Sequence, residues 1–164
     1  MVADETHLAT DERGLVMAFL DYARGSVLRK VEGLSDEDAR QARTGSGTSL
    51  GGLVKHLTWV ERSWLQDRFL GGEMVFAWTD EDPDADMRME PEETLAALVA
   101  DYGRAGEETR ALFAAHQLDE VTKRHPQRGP VSLRWIGWHL VEETARHAGH
   151  LDILREQLDG VVGD

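Results

Sequence analysis

Residues 132 to 160 read SLRWIGWHLVEETARHAGHLDILREQLDG, and the spacing within this stretch decides the fold. Ser132 is a residue type that caps helix starts, and Gly160 is one that ends helices. No proline interrupts them, and Ile136, Leu140, Leu151 and Leu154 return at helical intervals. The spacing predicts a helix of about 26 residues, roughly 39 Å long.

Working outward from that helix, three more segments carry helical periodicity. The first runs from about Asp11 to Glu32, with Leu15, Phe19, Tyr22, Ala23 and Val27 at threes and fours. Gly33 offers a stop, and Ser35-Asp36-Glu37-Asp38 reads as a capped short turn. Ser49 is expected to cap the second helix, which runs to about Leu70 with Leu53, Leu57, Val60 and Trp64 inward and Gly71-Gly72 ending it. Pro91 suits the first turn of a third helix, with Glu92 and Glu93 near its positive end. Leu95, Leu98, Val99, Tyr102 and Leu112 continue that helix to about Ala115. Sustained period-two alternation is absent, apart from a few residues around Met74 to Trp78. Four long amphipathic helices predict an all-α four-helix bundle, a single domain over residues 1–164.

Composition narrows the function. The 164 residues contain no cysteine, so disulfides, thiolate metal sites and a cysteine nucleophile are excluded. With 18 Lys+Arg against 31 Asp+Glu the net charge is −13, which repels phosphate backbones and argues against nucleic acid. No apolar run approaches the ~20 residues that span a bilayer. Met1 to Arg13 is polar and acidic rather than signal-like, so a soluble cytoplasmic protein is expected.

Two segments resemble ligand loops only in composition. Gln41 to Thr48 is glycine-containing but lacks the spacing and Lys-Ser/Thr of a P-loop. Thr79 to Glu93 holds eight acids against Arg88. Asp82, Asp84, Asp86 and Glu93 fall on calcium-loop positions one, three, five and twelve, but Met87 replaces the required glycine and Pro91 intervenes. A solvated connection is the expected role. Residues 117–131, with Pro126, Gly129 and Pro130, read as loop.

The last helix carries a polar stripe. With His139 at the origin and about 100° per residue, His150, Glu143 and His147 fall near 20°, 40° and 80°. Leu140, Leu151, Ile136 and Leu154 lie on or beside the same side, so the stripe points partly inward. Burying such groups costs several kcal/mol unless something pairs them, and a divalent metal would do so. Glu143 and His147, four apart, can grip one ion from one helix. His56, on the flank of the second helix, is the candidate third ligand. His7, His116 and His125 are expected to face solvent. Each residue also has a plainer reading: His56 as a hydrogen-bonded core histidine, Glu143 as a surface carboxylate, His139 bound to water, and His150 paired with Glu143 or Asp152. Asp152 and Arg155 read as a helix ion pair at three-residue spacing. The five tryptophans read as core or rim; Trp138, beside His139, could line a pocket, but core packing is expected.

The run from Thr144 to Glu156, TARHAGHLDILRE, closely resembles the last-helix motif of the DinB superfamily, in the branch known as mini-circle proteins of actinobacteria. Ser49 to His56 and Leu57 resembles that family's second-helix motif, a small-residue start followed by a histidine. The resemblance implies a DinB/YfiT-like bundle holding a divalent metal on His56, Glu143 and His147. Many relatives carry histidine at the position matching Glu143, a difference that leaves the metal's identity open: zinc is the first choice, with nickel, iron and manganese as alternatives. It also implies transfer of a low-molecular-weight thiol, mycothiol, to a small-molecule electrophile, and homodimers. The related maleylpyruvate isomerases have an additional C-terminal domain, so isomerisation is not carried over.

Such a site suits catalysis. Two neutral imidazoles and one carboxylate leave a divalent ion positive, with an open position at which a thiol loses its proton. With no cysteine in the chain, the sulfur must arrive with a cosubstrate. His150 and His139 are then candidate catalytic residues, orienting Glu143 or taking the thiol's proton. A metal-dependent hydrolase, using water instead, and a non-catalytic metal-stabilised stress or interaction protein are the alternatives.

Overall fold

The computed structural model describes residues 11–124 and 129–163; His7 and His125 lie outside them. Helix α1 spans Glu12–Val31, short α2 Asp36–Arg40, α3 Leu50–Arg62, α4 Leu95–Ala115 and α5 Leu133–Asp159. The side chains of Asp11, Ser35, Ser49, Thr94 and Ser132 cap the five N-termini, each accepting from a backbone N–H three residues on. Gly160, at φ 78°, ends α5 in the left-handed region that glycine tolerates. The only bridge among the described residues is the isolated Val121–Ser132 pair; Met74 to Trp78 forms no strand. No described helix is long and apolar enough to cross a membrane.

The four long helices pack as a bundle whose directions follow from their contacts. Val16 lies beside Gly137 and Lys30 pairs with Asp152 at 2.8 Å, so α1 and α5 run parallel. Arg62 pairs with Asp101 and Gln66 with Glu108, so α3 and α4 also run parallel. Leu20 shares a cluster with Leu65, and Val27 one with Leu53, which sets α1 against α3. Parallel α3 and α4 require a crossover that returns along the bundle. A return of roughly 30 Å needs only about nine extended residues. Residues 70–94 are far more than that, so the connection has chain to spare for wrapping α3.

Two apolar clusters form the core. One gathers Val27, Leu50, Leu53, Leu57, Leu151 and Leu154; the other gathers Val16, Leu20, Leu65, Phe113, Ile136 and Leu140. Between them lies a polar layer. Arg24 donates two bonds to Glu61, at 2.9 and 2.6 Å, and Thr109 Oγ1 donates to the same carboxylate at 2.5 Å. Arg24 and Glu61 are 6% and 2% exposed, so the bidentate pairing is what makes their burial tolerable.

Four expectations change. The buried stripe of α1 is Val16, Leu20, Ala23, Arg24 and Val27; Phe19 and Tyr22 are about two-fifths exposed. A second stripe of equal period lies one residue away, and the buried arginine hides it from a hydrophobicity reading. Helix α4 starts at Leu95 rather than Pro91, because Thr94 caps it and Asp36 accepts from the Leu95 N–H. Glu93 instead folds back to the Glu90 N–H and pairs with Lys55. Asp152 pairs with Lys30 rather than Arg155, which reaches Asp159 and the carbonyls of Lys30 and Glu32. Finally, the acidic segment is not simply solvated: it makes a 3-10 turn at Ala85–Met87 that buries Asp86.

Candidate metal centre

The segment that continues α3, Ser63–Phe69, widens to a π-helix, with the Leu70 N–H reaching back five residues to the Leu65 carbonyl. It brings Trp64 against α5, where the ring meets His139 edge-on at 4.9 Å. His139 also stacks on Trp135 at 4.8 Å. One turn further along α5 stands Glu143, and one more turn brings buried His147.

His56 reaches this face from α3. Its ring lies 4.9 Å from that of His147, nearly perpendicular to it. His147 Nε2 stands 3.4 Å from Glu143 Oε2. Donor atoms of His56, Glu143 and His147 all fall within 4.8 Å of one another. A zinc ion bound at about 2.0–2.1 Å needs donors roughly 3.4 Å apart, so small side-chain adjustments would close the set on one ion. The donor chemistry fits: two imidazoles and a carboxylate suit zinc and its neighbours in the first transition series.

Electrostatics favour ligand-ready side chains. Burial, then the nearby His56 and His150, pushes the His147 imidazole down to about 4, so it is neutral at pH 7. Burial also lowers the pKa of His139. A second group of donors, His139, Glu142 and Glu143, also falls within 4.8 Å. There Glu142 is exposed and already paired with Arg146.

The other predicted residues distribute as follows. His150 is exposed, with Nδ1 3.2 Å from His147 Nδ1; it pairs with the neighbouring ring rather than with Glu143 or Asp152. His116 is half-buried at the end of α4, bonded to Glu120 and against Phe69. Trp135 and Trp138 are each more than 40% exposed, on the rim rather than in the core. Sequence reading missed Asp86, whose Oδ2 lies 2.7 Å from His56 Nδ1. No spacing rule connects a loop residue to a helix 30 positions earlier, so the acidic run gave no sign of it.

Clefts open on two sides of the cluster. One of about 310 Å³ is lined by Thr44, Thr48, Leu53, His147 and His150. The other, about 400 Å³, is lined by His56, Val60, Trp78, Asp84 and Asp86. Met87 contributes to both. A larger cleft of about 530 Å³ lies between the π-helical segment and α4; His116 lines it, but His56, His139, His147 and His150 do not.

Comparison with known proteins agrees with this architecture. One solved structure, described as the conserved protein of locus from Enterococcus faecalis, is similar over 93% of this chain and 100% of its own, with TM-score 0.69 and 15% identity. At that identity the likeness establishes the fold, an all-α DinB/YfiT-like bundle. No curated protein matches the sequence. A family model described as mycothiol-S-transferase matches residues 15–160, nearly the whole chain. The chain therefore belongs to the mycothiol-S-transferase family, within the DinB-like superfamily.

Proposed function

We propose that this protein is a metal-dependent S-transferase that joins mycothiol, or a closely similar low-molecular-weight thiol, to a small electrophile. The observation that carries the reading is the convergence of His56, Glu143 and His147 donors within 4.8 Å, in a chain of this family. These three residues would hold the ion, zinc in the first instance. When bound there, a divalent ion would make a coordinating thiol acidic enough to be thiolate at neutral pH, against about 8.5 for a free thiol.

The chain's own groups do the rest. His147, neutral at pH 7, needs no deprotonation to serve as a ligand. Exposed His150 stands beside it at the mouth of the smaller cleft, placed to take the thiol's proton and pass it to solvent. His139, packed against Trp64 and Trp135, has a ring nitrogen within 4.8 Å of a Glu143 oxygen and is placed to orient that carboxylate when an ion binds. The clefts on either side give the thiol and the electrophile separate approaches to one centre.

The test incubates tag-free protein, loaded with zinc, with mycothiol and an alkylating electrophile, and follows the conjugate by mass spectrometry. The proposal expects zinc-dependent conjugation that His56→Ala abolishes. Full activity in that variant, or turnover of an ester with no thiol present, would contradict it.

A further inference from the structure

The acidic connection between α3 and α4 is strapped onto α3 at one place. Gly51 and Gly52, in the first turn of α3, leave no side chain between the helix and the strap. A Cβ on Gly52 would overlap the Met87 carbonyl, and one on Gly51 would sit 2.6 Å from Met89 Sδ. Lys55 Nζ donates to the Arg88 carbonyl at 3.3 Å and pairs with Glu93 at 2.9 Å. Arg40 donates to the carbonyls of Glu90, Pro91 and Glu93. Met89 is buried beneath these bonds. The segment is thus fixed immediately after Asp86, by residues 87–93, and Asp86 is itself 5% exposed.

Asp86 Oδ2 lies 2.7 Å from His56 Nδ1. An ionised carboxylate carries no proton, so this bond requires the hydrogen on Nδ1. Nε2 of His56 then keeps its lone pair. That is the nitrogen a metal can take, and the ring is held against rotation by a buried partner.

We infer that Asp86 is the positioning residue of the centre: through its bond to Nδ1 it fixes the tautomer and ring orientation of His56, so that Nε2 is presented to an ion shared with Glu143 and His147. The assignment rests on the metal reading for its effect on affinity, but the tautomer is a property of the metal-free protein. A strap pinned by glycines and charged side chains thus gives the crossover connection a role in the site and not only in the topology.

The experiment has two readouts on wild type, Asp86→Ala and Asp86→Asn. In the metal-free proteins, nitrogen-15 shifts and two-bond couplings of the His56 ring report which nitrogen carries the proton. Zinc affinity is measured by competition with a chromophoric chelator. Wild type is expected to show the proton on Nδ1. Asp86→Ala is expected to lose that tautomer preference and to bind zinc about 10- to 100-fold more weakly. Asp86→Asn, whose carbonyl oxygen still accepts, is expected to keep the tautomer and lose less. A wild-type His56 protonated on Nε2 overturns the assignment whatever the variants do. So does zinc affinity in a folded Asp86→Ala protein within twofold of wild type. Should the alanine variant fail to fold, wild type and Asp86→Asn decide: equal zinc affinity in the two, with the proton on Nε2, overturns it. A wild type that binds no zinc while His56 carries its proton on Nδ1 would sink the proposed function and leave the tautomer assignment standing.

Discussion

Single side chains in this protein are held by charge as well as by packing. Asp101 on α4 accepts from Arg62 Nη1 and Nη2 at 2.8 and 2.9 Å and from Arg104 at 2.8 Å. The hydrogen bonds from Arg62 lead the effects that hold its carboxyl below the ordinary value near 3.8. A carboxylate with a lowered folded-state pKa stabilises the fold above its unfolded value, and that contribution disappears as pH falls through the folded one. Asp101→Asn should therefore cost up to about 1 kcal/mol at pH 7, because the pair is partly exposed to solvent. The difference from wild type should begin to narrow below about pH 4 and close as pH falls through the lower folded value. Urea midpoints of both proteins at pH 7, 5 and 3.5 check this; a gap that persists unchanged at the lowest pH would contradict it. At this scale the sequence exposes His56, Glu143 and His147, since helical spacing puts ligand types on defined faces. It hides Asp86, whose partnership is made by the path of a loop.

Elements are placed by small residues as much as by large ones. Gly51 and Gly52 look like the permissive start of a helix, yet their lack of side chains lets residues 87–89 lie on α3. Gly52→Ala should force the strap away and destabilise the protein by about 1–3 kcal/mol, the usual cost of overpacking. It should also free the His56 ring. Equilibrium urea unfolding measures the first effect, and the nitrogen-15 signature of His56 the second; wild-type values for both would show that the strap does not need this contact. Helix starts were readable at Asp11, Ser49 and Ser132, each a capping side chain just before a periodic run. They were misread at Pro91, where Glu93 had a better partner in Lys55 than in a helix terminus. The widened turn at Ser63–Phe69 has no sequence mark; it accompanies the packing of Trp64 and Leu65 against α5, a tertiary contact.

Across the whole molecule, a polar layer divides the core in two and lies at the level where α3 and α5 present the metal-type residues. Arg24→Ala would leave the Glu61 carboxylate buried without its cation. A loss of about 3–5 kcal/mol is expected, whereas exchanging both partners for apolar residues of similar size should cost far less. Thermal or urea unfolding of the single and double variants measures this, and equal losses in the two would contradict it. The class of fold was legible in four periodic segments. Helix direction was not, since parallel α3 and α4 follow from tertiary contacts that no local pattern encodes. The central claim is that one ion is shared between His56 on α3 and the Glu143–His147 pair on α5. Calorimetric titration of zinc into metal-free wild type, His56→Ala and Glu143→Ala tests it most directly. The account predicts saturation at one ion per chain in wild type, with binding weakened at least about 100-fold in either variant; stoichiometry and affinity unchanged in both would contradict it.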